Sequence, residues 1–526
     1  MKTKPSGPFL GINNRLPDFA LETDIGRWLR EAENVDIDNA GRVRRRHAAS
    51  LVQSLSAPHS LYTTSGGTRY MVISGAMYTV TLPAYTQTLL KVLSNNNQVS
   101  YEEYAGSVYY SNGTDSGRIE SGVWYPWALP TPTSPTVAIV TGTLYKGWYQ
   151  VAVSYHNSTT GEEGGVSPSC NYELATDGGL RITLPAATAG ASHINIYVST
   201  VNGSIPLYVS TVATGTASYD YTTPGSVGRE ANQRYEEPIP AGVPFMHNGR
   251  LCTYSGNTIC IGLPARPGYY VPTDPRLEFS APVTNAISGQ NGIYVTADKT
   301  YWFEGTDILD AQRVVDVLPF GGVAGTVFRI PFTTDVGWFS PMGFILADIS
   351  GQVSTPMTGS VDLTPTDSGV SSVFSEGGYC RVVSCGWCMN LENKATSQYT
   401  DYDFTSISGT YATGDAGVYD LATDGAVDWR IGLGKEDFGT ELLKSLPACY
   451  VGAASDEPVV LVVTLPGGDE YEYQARSCSD SIEIHRIDPG KGLKENWYGL
   501  AFRSERGSSL ALATVSFAPA TSGRRV

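Results

Sequence analysis

Apolar and polar residues alternate with a period of two along most of this chain. In "TRYMVISGAMYTVTL" (68–82) the alternation breaks at Ser74-Gly75 and then resumes. "VSYEEYAGSVYYSNGTDSGRIESG" (99–122) repeats the plan around Ala105-Gly106, with a further turn at Asn112-Gly113. Side chains two apart share one face of a strand, so each stretch predicts strand, tight turn, strand. The plan returns in "HNGRLCTYSGNTICIG" (247–262), "QNGIYVTADKTYWFEGTD" (290–307), "VGWFSPMGFILADISGQVS" (336–354) and "SGTYATGDAGVYDLATDG" (408–425). Imperfect hairpin repeats of this kind predict a β-propeller-like core. One such sheet cannot bury both of its faces alone, and neighbours in a ring cover them. The irregular period leaves the blade count open.

A Pro/Thr stretch, "WALPTPTSPTVAIV" (127–140), interrupts the series. About seven alternating strands follow between 147 and 225, enough for one β-sandwich. The run from "YQVAVSYHN" to "GGVSP", with the later pair "INIYVST" and "YVSTV", resembles a fibronectin type III domain. Residues 426–526 read as a further β-domain with a Pro-Gly-Gly-Asp hairpin turn at 466–469 and an amphipathic closing strand in "SLALATVSF". The expected organisation is all-β. It runs 1–54 N-terminal docking segment with β-hairpin, 55–130 first blades, 131–228 fibronectin type III-like insertion, 229–425 remaining blades, and 426–526 C-terminal β-domain. Within 1–54, "LETDIGRWLREAENVDI" is expected to hold one short helical turn. "DNAG" (38–41) then supplies the residues of a hairpin turn.

Composition narrows the function classes. The chain has 526 residues, 51 acids against 35 bases and a net charge of −16. An acidic body repels nucleic acid over most of its surface. No apolar run is long enough for a membrane span, and the N-terminus lacks the apolar region of a secretory signal. Of the eight cysteines, three lie in "CRVVSCGWC" (380–388). A zinc site would need a second ligand pair, and a redox dithiol would need a βαβ setting. Buried strand thiols are the expectation. Asp36 and Asp38 superficially resemble a calcium loop, but a twelve-residue loop starting at Asp36 would place His47 where the bidentate glutamate belongs. The glycine-rich stretches 432–439 and 490–492 lack the phosphate-loop pattern. The carboxylate pairs Glu102–Glu103, Glu162–Glu163 and Glu436–Asp437 are candidates for a glycosidase, but nothing selects one. No catalytic residue, cofactor site or metal site is expected, and the chain is not expected to be an enzyme.

Arg42, Arg44, Arg45 and Arg46 form the densest basic run. Alternation puts Arg42, Arg44 and Arg46 on one face, with Val43 and Arg45 on the other. Without interleaved aromatics the run does not fit a single-strand binder, and it reads as an interface element.

The N-terminal pattern Gly11, Asn13, Asn14, Asn34, Val35, Gly41, Val43, Arg45, Arg46 resembles the opening of tail nozzle or tail hub proteins of short-tailed bacteriophages. Those proteins often continue with Pro-Gly, where this chain has His47-Ala48. The resemblance implies a structural virion protein, made in the host cytoplasm. Such subunits are propeller-based and commonly form a six-membered ring below the portal and its adaptor ring. The ring anchors tail fibres or other tail parts, and double-stranded DNA passes through it without specific binding. It also implies that Asn13, Asn14, Arg42, Arg44, Arg45 and Arg46 contact a neighbouring subunit or the adaptor. Six such subunits would carry on the order of a hundred negative charges, a lumen that repels a polyanion. Two other readings stand beside it: a host-glycan-binding adhesion protein, and a polysaccharide-degrading propeller enzyme.

Overall fold

The computed structural model describes residues 5–522, apart from 233, 309–312, 365 and 377. The fold is all-β, with a short 3-10 turn at Asp18–Ala20. The stretch expected to turn helical is instead three short strands, Arg27–Leu29, Glu31–Glu33 and Val35–Ile37. The reason is tertiary. Glu31–Glu33 is drawn between Arg430–Glu436 and Thr396–Gln398, whose ladder bonds outweigh a weak local helix preference.

The core is a ring of four-stranded antiparallel sheets, here numbered blades 1 to 7. Blade 1 begins with His59–Thr63, blade 2 with Ser100–Tyr104, blade 3 with Val243–His247 and blade 4 with Asn285–Gly289. Blade 5 begins with Phe328–Arg329, blade 6 with Ser371–Glu376 and blade 7 with Ser406–Ser408. Blade 6 does not stop at four strands; it continues into a nine-stranded sheet with Glu31–Glu33 and the C-terminal strands. Tight turns follow from local chemistry. Ser74-Gly75, Ala105-Gly106, Asn248-Gly249 and Cys385-Gly386 each place two successive residues at positive φ, the geometry of a two-residue hairpin. Aromatic side chains wedge neighbouring blades together. Tyr294 lies 4.4 Å from Trp302 within blade 4 and 5.5 Å from Trp338 of blade 5, and all three are buried.

The ring closes through the N-terminal region. Ala48–Ser54 is the outer strand of blade 7, beside Gly417–Thr423. On the inner side, the hydroxyls of Ser406 and Ser408 accept the Leu61 and Thr63 amides of blade 1 at 2.7 and 2.8 Å. The first and last parts of the core are thus joined at both the inner and the outer strand.

The insertion is a sandwich of a three-stranded sheet (Thr136–Leu144, Gly178–Thr183, Ser218–Tyr221) on a five-stranded one built around Gly147–His156. It has eight strands, one more than alternation counted. Val151, Val153, Ile182, Ile194 and Ile196 fill its core.

The domain expectation changes most at the termini. The N-terminal segment is not a separate docking arm. Val35–Ile37 pairs with Val43–Arg45, which lies beside Ala511–Thr521, followed by Lys444–Ser455 and Ser479–Ile487. The C-terminal strand, read as a closing one, is the middle strand of this sheet. Residues from both ends therefore share one hydrophobic core that includes Val35, Val43, Leu446, Val451, Leu512 and Val515.

Candidate functional site

The turn Asp38–Gly41 forms as its sequence predicts. Asp38 Oδ1 accepts the amides of Ala40 and Arg42, and Gly41 takes φ +70°. The register pairs Asp36 with Arg44 and Ile37 with Val43. Arg42 and Arg44 lean on one carboxylate, Asp38, at 3.0 and 3.1 Å, and both remain partly exposed. Two guanidiniums on one acid leave a surplus positive charge at the surface. Arg45 is half-buried and donates to the Gly507 carbonyl.

Arg46 corrects the sequence expectation. It lies one residue beyond the strand and does not share the face of Arg42 and Arg44. It is 5% exposed. It donates to Asn34 Oδ1, His47 O and Thr400 O, and lies over the rings of Tyr399 and Tyr402. Burial lowers its pKa, opposed by Tyr399, Tyr402 and Asp36. Arg46 pins the hairpin to blade 6 and offers a partner nothing. Asn13 is likewise buried; its Oδ1 accepts the amides of Arg15 and Leu16 in a side-chain-capped turn. Asn14 is exposed but engaged with Asp362 in both directions, giving and accepting one bond. It ties the N-terminal segment to the passage between blades 5 and 6.

The two aspartates of the calcium-loop-like stretch serve different partners. Asp38 holds Arg42 and Arg44. Asp36 is buried, accepts the Tyr399 hydroxyl and the Cys388 thiol, and faces Arg381 at 3.6 Å. Burial, then the Asp36 charge, pushes the Cys388 thiol far up its range. The second cysteine of "CGWC" is thus a protonated donor in the core. The first, Cys385, sits in the hairpin turn with φ +51°.

The middle of the propeller holds two cavities that share Ser100, Ala324 and Gly325. One, of about 640 Å³, reaches Ser60, Gln98 and Tyr402. The other, of about 530 Å³, reaches Glu102, Phe245 and Arg329. Strand alternation separates the Glu102–Glu103 pair. Glu103 turns outward onto Ser65, whose hydroxyl and amide hold its pKa down. Glu102 turns into the channel and accepts the Met246 amide, and burial raises its carboxyl to about 7 against the pull of Arg329.

The Glu162–Glu163 pair lies at the joint between sandwich and propeller. Glu162 takes Arg118 of blade 2 at 2.6 Å and the Tyr269 hydroxyl at 2.7 Å. Glu163 accepts Ser154, Asn195 and Tyr197 within the sandwich and Arg229 of the segment that leaves it. Glu436 belongs to Arg27. Glu162 and Glu163 do line one cleft of about 820 Å³, beside Glu120, but each is held by its own arginine, Arg118 and Arg229; the Glu102–Glu103 pair diverges. Sequence reading found these residues but not their directions, which the strands settle only once their neighbours are known.

No family model and no curated protein matches the chain. Among solved structures it is similar to a chain of "Crystal Structure of Mitotic Checkpoint Complex" at 9% identity and TM-score 0.30, over 71% of this chain and 95% of that one. It is similar to BamB from Moraxella catarrhalis at 10% identity and TM-score 0.30, over 71% and 98%. It is also similar to YCF48, in "YCF48 bound to D1 peptide", at 9% identity and TM-score 0.27, over 68% and 96%. Overlaps this low carry nothing about what this chain does.

Proposed function

We propose that this chain is a structural subunit of a short-tailed bacteriophage tail, a nozzle or hub whose copies form a ring around the path of the genome. The observation that supports it best is the acidic excess of the chain, a formal −16. Arg27 and Arg381 are buried against Glu22, Glu436 and Asp36, and Arg118 nearly so against Glu162, so these pairs withdraw as much negative as positive charge. The acidic excess therefore stays on the surface. Such a surface lets a duplex pass by repulsion and does not grip it. The channel inside one propeller is of small-molecule size, so the duplex runs between subunits on the axis of their ring. Electron microscopy of the purified chain and of virion tails tests this: rotationally symmetric rings are expected, and a chain that stays monomeric rejects it. Duplex DNA is expected not to bind at physiological salt, and salt-sensitive binding would contradict the repulsive lumen.

A second reading is adhesion to host glycan. Tyr145 and Trp148 are 68% and 52% exposed at the sandwich end away from Glu162. The strand Gly147–His156 spans the distance between the two ends, about 30 Å at ~3.3 Å per residue. Exposed aromatics at a distal tip are fitted to stack on sugar rings. Glycan-array binding that is lost on Trp148→Ala would favour this reading.

A further inference from the structure

We propose that the middle of the propeller binds a small zwitterion, an α- or ω-amino acid, held between Glu102 and Arg329. The residues around the cavity of about 530 Å³ include one acid and one base, and the rest are apolar or neutral. That volume suits a small ligand. Glu102 comes from the inner strand of blade 2 and Arg329 from that of blade 5. Blades 2 and 5 stand three apart in the ring, so the two charges enter the cavity from different walls.

Each charge is short of partners. Among the described residues Glu102 accepts one hydrogen bond, from the Met246 amide at 3.3 Å, and has no ion-pair partner. Arg329 gives Nη1 to the Ser288 carbonyl at 2.9 Å, and its other donors have no partner among the described residues. That bond fixes the guanidinium and leaves its Nε–Nη2 edge free. Such an edge takes a carboxylate through two parallel bonds. The Arg329 charge is close enough to favour loss of the Glu102 proton, yet no ion pair joins the two. Opposite charges held apart on one cavity select a ligand that carries both signs. Its ammonium meets Glu102 and its carboxylate meets Arg329. A lone anion would leave Glu102 unanswered, and a lone cation would sit in the field of Arg329. Arg329 is exposed, so the cavity opens to solvent on its side. Val243, Phe245, Ile287 and Val327 supply an apolar wall, which favours a ligand with an aliphatic part.

Binding is coupled to a proton. Burial raises the Glu102 carboxyl to about 7, and the ammonium requires the ionised form. Besides Arg329, the charged or titratable groups that face Glu102 are Glu103 on its own strand and Tyr62 of blade 1. Ser65 holds Glu103 low and burial pushes Tyr62 up, so neither changes charge between pH 6 and 8. His247, next to Met246, has its pKa lowered by burial. The pH response that belongs to Glu102 is the part absent from Glu102→Gln.

Isothermal titration calorimetry on the purified full-length chain tests the site. The probes are glycine, leucine, 4-aminobutanoate and 6-aminohexanoate, with butylamine and butanoate as single-charge controls. At pH 8 at least one zwitterion is expected to saturate with Kd below about 1 mM and to bind at least tenfold tighter than either control. Its affinity is expected to rise about tenfold from pH 6 to pH 8, as Glu102 goes from about one-tenth to about nine-tenths ionised. Glu102→Gln and Arg329→Gln are each expected to weaken binding at least tenfold at pH 8, and Glu102→Gln to flatten the pH response. Circular dichroism melts check that both variants fold. The ligand preference and pH response of the wild-type chain decide the matter without either variant. No saturation by any zwitterion up to about 10 mM, equal binding of a single-charge control, or unchanged affinity in folded Glu102→Gln overturns the site. The ring reading stands or falls separately, on symmetry.

Discussion

Arg46 shows how one position changes meaning between sequence and structure. Read as part of a basic run, it belongs on the surface with Arg42 and Arg44. In the fold it is buried, and its three hydrogen bonds end on Asn34, His47 and Thr400. Arg46→Ala strands those acceptors and is expected to cost about 2–4 kcal/mol, read as a lower urea midpoint. Arg46→Lys is expected to recover little, because an ammonium cannot reproduce the planar fork. Stability within about 0.5 kcal/mol of wild type in Arg46→Ala would place the residue on the surface after all. Glu102 sets a pH dependence. In the fold its carboxyl keeps the proton to about pH 7, whereas in the unfolded chain it releases it near 4.3. More protons are bound by the folded state across that window, so this group's contribution is full below about pH 4 and is lost as pH rises through 7. Glu102→Gln should match wild type at pH 4 and exceed it at pH 8 by about 1–2 kcal/mol, after allowing for partial solvent access. Urea midpoints that differ equally at both pH values would show that Glu102 ionises normally.

At the scale of elements, hairpins were the most legible feature. Their turns are local, and pairs such as Asn248-Gly249 state their geometry in two residues. The assignment of strands to sheets was not legible. Ala48–Ser54 reads as part of an N-terminal segment, yet it completes blade 7 far along the chain. Its place depends on Gly417, where φ is +148° and a Cβ would collide with the Gln53 carbonyl. Gly417→Val is expected to detach this strand, with a loss of about 2–4 kcal/mol. Faster hydrogen exchange at Leu51 and Gln53 than in blades 3 and 4 would report it, and unchanged protection there would argue that closure rests on the inner strand alone.

For the whole molecule, the joint between sandwich and propeller decides whether the insertion is a fixed arm or a loosely tethered one. Glu162 carries much of it, holding Arg118 and Tyr269 across the boundary. Glu162→Ala leaves a nearly buried guanidinium without this partner, at a cost of about 3 kcal/mol. Limited proteolysis in 222–232 is expected to quicken while both bodies stay folded. Cleavage at the wild-type rate would mean that the linker packing around Trp127 and Leu129 holds the arm without the ion pair. A fixed arm suits a subunit that displays its sandwich at a set angle from a ring.

Alternation and turn chemistry are properties of adjacent residues, so the all-β class, the hairpins, the insertion near 131–228 and the acidic balance could be read from the chain alone. Which strands become neighbours could not, because pairing between distant strands depends on the burial that closes a ring or a sandwich. That long-range pairing made the N-terminal segment part of the C-terminal domain and turned Arg46 and Asn13 inward.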